Sequence, residues 1–191
     1  MKRICVFCGS NPGRGSAYRA AAVRLGHVMA ERGLGLVYGG GRVGLMGAIA
    51  GAVLERGGEV IGVIPEDLVR LEVAHAGLSD LRIVRSMHER KALMERLSDG
   101  FVALPGGFGT LDELCEILTW AQLGLHRKPR GLLDVDGYFS AFLKFVDHAV
   151  AEGFIRTEHR EGLLVAVEPR ALLDGLAAYK PVDGAQWLKK P

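Results

Sequence analysis

Short apolar runs, most of them closed by glycine or proline, alternate along this chain with longer segments of helical pattern, and that alternation leaves few folds open. The runs are Arg3–Phe7, Leu34–Tyr38, Glu59–Ile64, Leu81–Val84, Phe101–Leu104, Gly131–Val135 and Leu163–Val167. The intervening pattern predicts helices over Ala17–Arg32, Leu45–Arg56, Met87–Leu97, Thr110–Leu123, Tyr138–Glu152 and Pro169–Tyr179. Ser16 is placed to cap the first helix at its start, and Gly33 to end it. Glu66 to Ser79 is less regular. Apolar strands each followed by a helix imply a parallel sheet covered on both faces and built by right-handed crossovers. The expected class is doubly wound α/β. A chain of 191 residues, 49% hydrophobic, can bury one sizeable core. We therefore expect one domain over residues 1–180 and a loosely tied tail over 181–191.

In such a sheet, ligands bind beyond the carboxyl ends of the strands. Three glycine-rich turns fall there: Cys8-Gly9-Ser10, Tyr38-Gly39-Gly40-Gly41, and Pro105-Gly106-Gly107-Phe108-Gly109-Thr110. The third opens directly into a helix. Its glycines would let a phosphate approach the backbone, and the unsatisfied amides of the helix start would point at the anion. Thr110 adds a hydroxyl donor. No Gly-Lys-Ser/Thr ending follows, so this is not a triphosphatase loop. The second turn offers a competing reading. Gly39, Gly41 and Gly44 satisfy G-x-G-x-x-G between a strand and a helix, and Glu59 lies about 20 residues on, the offset of a ribose-binding acid in a nicotinamide site. Glu59 begins the next strand, however, whereas that acid belongs at a strand's end.

Charged residues cluster near the same edge. Met87-His88-Glu89-Arg90-Lys91 opens a helix, so Arg90 and Lys91 oppose the helix dipole at roughly 0.3–1 kcal/mol each if exposed. A bound anion would account for them; Glu89 reads as a solvated side chain. Asp112 and Glu113 lie in the first turn after the third glycine loop. Acids there stabilise any helix, but Glu113 is also within a turn of the proposed phosphate. It could face the sugar of a nucleotide, stabilising an oxocarbenium-like centre or orienting a water.

Other classes recede. The net charge is +2, with both signs scattered, so no basic block suggests nucleic acid. No run approaches the roughly 20 apolar residues of a membrane span, and the N-terminus lacks the apolar stretch of a signal peptide, so the chain reads as cytoplasmic. Three cysteines argue against a disulfide framework. Cys5 and Cys8 form C-x-x-C, but on a strand their side chains point to opposite faces, which suits buried structural thiols. The six histidines are scattered without metal-ligand spacing, and neither metal nor cofactor is expected. No G-x-S-x-G elbow is present.

Five strings carry a resemblance: CVFCGSNPG, LVYGGGRVGLMG, VIGVIP, MHERKALM and LPGGFGTLDELCEILTWAQLGLHRKP. From Ile4 to Tyr179 the chain resembles the Lonely Guy family of cytokinin-activating phosphoribohydrolases, often mislabelled lysine decarboxylases. The resemblance implies a Rossmann-like homodimer, larger in some members, with its sites near the subunit interface. It implies hydrolysis of AMP or an N6-prenylated AMP to free base and ribose 5-phosphate. It places the catalytic arginine at Arg90 and the catalytic glutamate at Glu113. Substrate contacts would fall on Met87, Arg90 and Lys91, on the loop Gly106, Gly107, Phe108, Gly109, Thr110 and Leu111, and on Asp112, Thr119 and Glu72. Phe108 stands where many members have tyrosine, and Arg42 where plant members usually carry serine. No lysine context for pyridoxal phosphate is recognisable. A non-catalytic nucleotide or cofactor carrier on the same fold stays as an alternative, as does the nicotinamide oxidoreductase; a carrier needs the loop but not the acid.

Overall fold

The computed structural model describes residues 1–69, 78 and 80–181. Seven parallel strands form one sheet: β1 (Arg3–Phe7), β2 (Gly35–Tyr38), β3 (Val60–Pro65), β4 (Asp80–Val84), β5 (Gly100–Ala103), β6 (Arg130–Leu133) and β7 (Leu163–Ala166). Their spatial order is β4-β3-β2-β1-β5-β6-β7. The order runs outward in both directions from β1 and β5, which pair from Ile4↔Gly100 to Phe7↔Ala103. Their carboxyl ends form the switch point, where the two flanking connections depart on opposite sides and leave a crevice.

The helices are α1 (Ser16–Glu31), α2 (Gly44–Glu55), α3 (Glu66–Val69), α4 (Met87–Leu97), α5 (Phe108–Gln122), α6 (Ser140–Ala151), α7 (Thr157–Glu161) and α8 (Pro169–Ala178). The alternation of side chains along β1 sorts them into two layers. Ile4, Val6 and Cys8 pack with Leu25, Ile49 and Leu172, from α1, α2 and α8. Cys5 and Phe7 pack with Met94, Leu114 and Ile117, from α4 and α5. Each large aliphatic side chain so buried is worth about 1.5–3 kcal/mol. Cys5 in β1 and Cys8 just past its end thus lie on opposite faces, as the period of an extended chain requires.

The expected strands and long helices are present with ends shifted by at most two residues. Ser16 does not cap α1. It is the first helical residue, and the cap position falls to Gly15 with no side-chain bond. Gly33 does end the helix: at φ +67° it lets Leu34 N–H reach Met29 C=O at 2.9 Å. Ser86 caps α4 by accepting the Glu89 N–H, while Glu89 Oε2 accepts the Arg85 N–H. Glu89 is therefore a capping group rather than a merely solvated one. Among the described residues no helix is long and apolar enough to cross a membrane.

Candidate active site

The crevice at the switch point opens into a cavity of about 450 Å³. Its floor is backbone. Gly9 N–H donates to Pro105 C=O at 3.0 Å, and Leu45 N–H to Gly9 C=O at 3.0 Å, so the ends of β1 and β5 and the start of α2 are stitched together. A Cβ on Gly9 would come within 3.3 Å of the Gly106 Cα, and one on Gly106 would overlap Thr110 Oγ1. Gly106 is thus a packing glycine. Gly107 and Gly109 face open space.

Gly107 precedes α5 without a side-chain cap. The first helical backbone bond is Leu111 N–H to Gly107 C=O, 3.1 Å. The amides of Phe108, Gly109 and Thr110 are left at the open end of a 15-residue helix, beside the cavity. Thr110 is buried and Phe108 is 93% exposed at the rim.

Tyr138 holds this loop from outside. It follows a single turn of 3-10 helix, Val135–Gly137, in which Asp136 (φ 52°) and Gly137 (φ 69°) are both left-handed. Asp136 is the only non-glycine of that conformation among the described residues, and the paired turn costs backbone strain. The turn aims the Tyr138 hydroxyl at Gly106 C=O, to which it donates at 2.5 Å. The ring packs edge-on against Tyr18 of α1, centroids 5.7 Å apart, and both rings line the cavity.

Arg90 and Glu113 meet on the inner wall. Arg90 Nη2 lies 3.5 Å from Glu113 Oε1, and both side chains are at most 10% exposed. Arg90 Nη1 also approaches Met87 Sδ at 3.6 Å. Its buried Nε has no hydrogen-bond partner among the described residues. The guanidinium thus enters the ion pair with a donor to spare. The Glu113 carboxylate is felt nearby. Burial drives the Cys5 and Cys8 thiols well above the usual range, and the charge of Glu113 adds to both. Both thiols stay protonated.

Of the residues expected at the site, Met87, Arg90, Gly106, Gly107, Phe108, Gly109, Thr110 and Glu113 line one cavity. Lys91, Leu111, Asp112 and Thr119 are not part of its wall. Lys91 Nζ sits 3.1 Å from both Asp112 Oδ2 and Glu116 Oε1, tying α4 to α5. Burial lowers the pKa of this ammonium, and the two carboxylates more than restore it. The Thr119 hydroxyl is spent on the Cys115 carbonyl, 2.8 Å away within the helix. Glu72 lies outside the described residues. Cys8, Gly9 and Ser10 of the first glycine-rich turn line the cavity as well, and Asn11, Pro12 and Gly13 beyond it, together with Tyr18 and Tyr138, do so without having been singled out. The rule that places ligands at a switch point would have found Asn11, Pro12 and Gly13.

The dinucleotide fingerprint dissolves in the same geometry. Gly44, at φ +64°, packs so closely that a Cβ would overlap the Ser10 backbone. Glu59 pairs with Arg3 Nε at 2.8 Å. Arg3 begins β1 and Glu59 precedes β3, so the acid sits at the amino edge of the sheet, away from the crevice. Among the described residues no cluster of three potential metal ligands occurs.

The fold is that of known proteins. A molybdenum cofactor binding protein from Rippkaea orientalis superposes with a TM-score of 0.71 at 21% identity, covering 93% of this chain and 97% of its own. A Moco carrier protein from Chlamydomonas reinhardtii gives 0.70 at 23% identity, over 93% and 98%. A family described as possible lysine decarboxylase matches residues 46–176. The cytokinin riboside 5′-monophosphate phosphoribohydrolase LOG of Oryza sativa subsp. japonica is 53% identical over 95% of this chain and 75% of its own length. The chain belongs to the Lonely Guy family. Another Lonely Guy relative, a cytokinin riboside 5′-monophosphate phosphoribohydrolase of Arabidopsis thaliana, is 52% identical over 94% of this chain and 83% of its own. Among Lonely Guy proteins, then, this chain has its close sequence relatives, and with the cofactor carriers it shares the fold.

Proposed function

We propose that this protein hydrolyses the N-glycosidic bond of a purine nucleoside 5′-monophosphate, AMP or N6-prenyl-AMP, releasing the free base and ribose 5-phosphate. One observation carries the reading: the buried Arg90–Glu113 pair shares a cavity with the open amide end of α5. The amides of Phe108, Gly109 and Thr110 receive the 5′-phosphate, helped by the helix dipole. The ribose then lies toward Glu113, one turn further along the helix. As the base departs, positive charge builds on the ring. The carboxylate stabilises it and takes a proton from the attacking water. The C1′–N bond breaks, a C1′–O bond forms, and the base leaves with a proton. Arg90 stays charged at neutral pH and orients Glu113 or the ligand through its donors. Met87 and Phe108 complete the substrate wall, while Lys91 and Asp112 hold the two catalytic helices in register.

The energetics favour a functional reason for the pair. Isolating one partner of a buried ion pair costs about 3–5 kcal/mol, yet replacing both by apolar residues is often neutral. A pair at 3.5 Å with an idle Nε is poor cement, and ligand binding accounts for its presence. The relatives named for this activity, at 53% and 52% identity, support the same reading. A carrier would have no use for the acid.

The protein works as a cytoplasmic homodimer on this proposal. Leu114, Ile117 and Ala121 of α5 are buried in their own chain, and the dimer surface draws on apolar groups left outside. Leu125, Phe145 and Phe154 are 69%, 66% and 82% exposed. The test of the activity is direct. Incubation with AMP and with prenyl-AMP should yield free base and ribose 5-phosphate by chromatography. No base from any purine monophosphate would defeat the proposal.

A further inference from the structure

Gly39 directly follows β2 at the cavity, and its backbone gives no conformational reason for glycine: unlike Gly40 at φ +80°, it is not left-handed. What it lacks is room. A Cβ at this position would overlap Arg90 Nη2, and would stand 3.1 Å from Arg90 Cζ and 3.3 Å from Met46 Sδ. The same Nη2 is the atom that faces Glu113 Oε1. We propose that Gly39 is a positioning residue: the space left by its missing side chain is the seat that holds the Arg90 guanidinium against Glu113. This inference rests on the proposed hydrolase for its catalytic consequence, though not for its geometry.

The seat explains two features together. Arg90 comes from α4, which packs across β3, β2 and β1, and its guanidinium passes Gly39 at the end of β2 to meet Glu113 of α5. A glycine just past the strand gives it a path between backbone and cavity. The guanidinium is also the far end of a flexible chain, so a methyl group at 39 would push it aside rather than unfold the strand. Cost in stability would be small, and cost in alignment large, since a displacement of about 1 Å in a catalytic group can lose about 100-fold in rate.

A double-mutant cycle isolates this coupling. Gly39→Ala should melt close to wild type and lose roughly 100-fold in kcat on AMP, with KM changed far less. In an Arg90→Ala background the same substitution should cost no more than about twofold, because its target is gone. Gly51→Ala, at an open position of α2, should leave activity unchanged and serves as the control. A second readout needs no substrate: the Nε–H resonance of Arg90 in a nitrogen-15 spectrum, assigned by its loss in Arg90→Ala, should shift or disappear in Gly39→Ala. Equal losses in both backgrounds, an unmoved Arg90 resonance, or a Gly39→Ala protein that does not fold would each overturn the proposal. If wild type turns over no nucleotide, the proposed function fails, and the resonance alone decides the seat.

Discussion

Arg90 Nη2 stands 3.5 Å from Glu113 Oε1 inside the protein, although the two residues are carried by helices that follow different strands of the sheet. Arg90 comes from the helix after β4, at one edge, and Glu113 from the helix after β5, near the centre. The doubly wound order brings them together, because both helices cover the same face and start at the carboxyl ends of their strands.

That juxtaposition predicts the behaviour of Glu113→Gln. The amide keeps the shape, so the fold and most of the AMP affinity should survive. Turnover should fall about 100-fold or more, the scale of a positioned acid–base group. If the carboxylate only served its helix dipole, the substitution would cost about 0.3–1 kcal/mol of stability and leave turnover intact. Melting temperature, affinity and kcat on this single variant separate the outcomes.

The 5′-phosphate should be indispensable. On the proposed function, its binding at the open end of α5 positions the sugar against Glu113, and that energy is spent in the transition state. Adenosine should therefore be a far poorer substrate than AMP in kcat/KM. Equal efficiency on the two would remove the loop from the mechanism.

Tyr138→Phe should act on binding more than on chemistry. The phenol donates to Gly106 C=O at 2.5 Å. A neutral hydrogen bond contributes about 0.5–1.5 kcal/mol, so KM for AMP should rise about 2- to 12-fold with kcat nearly unchanged. A collapse of kcat instead would place the hydroxyl among the reacting groups.

Stability should decline on mild acidification, and His126 should contribute. Burial holds its pKa below the ordinary 6.5. The ring bonds the Ile117 carbonyl through Nε2 at 2.9 Å and receives the Lys128 N–H at Nδ1, 3.1 Å. That pattern needs Nδ1 unprotonated. Above 6.5 both folded and unfolded forms are neutral, and the contribution is whole; as pH falls below it, the unfolded chain takes the proton first and stability is lost. Melts from pH 7.5 to pH 5 should fall less steeply for His126→Gln than for wild type. Parallel slopes would assign the acid sensitivity elsewhere.

Light scattering at micromolar concentration should give twice the 20.6 kDa chain mass. Phe145→Asp and Phe154→Asp should shift it toward the monomer if these exposed rings lie in the contact. A single-chain mass for wild type would contradict the dimer.

Much of the architecture was legible because β3, β5 and, after Arg3, β1 are apolar throughout, a pattern that buried parallel strands share with few other elements. Arg90, Glu113 and the Gly106–Thr110 loop were legible because each opens a helix just after a strand. Tyr138 was not: its place depends on a left-handed Asp136, which no residue pattern announces. Lys91 and Asp112 look like ligand groups along the chain and become an intramolecular pair only when α4 and α5 lie side by side. Gly39 and Gly44 mimic a dinucleotide fingerprint because any tight backbone approach selects glycine, whatever comes close. Glu72 falls outside the described residues.

The floor of the cavity, where Gly9 and Gly106 meet backbone to backbone, separates what can vary in this protein from what cannot. No side chain fits there, so the surface beneath the phosphate offers substitution nothing to work on. Side chains with room to change stand at the rim, Phe108 and Met87 among them, both exposed. Preference for one base over another can therefore drift through the rim while the reaction below is inherited unchanged.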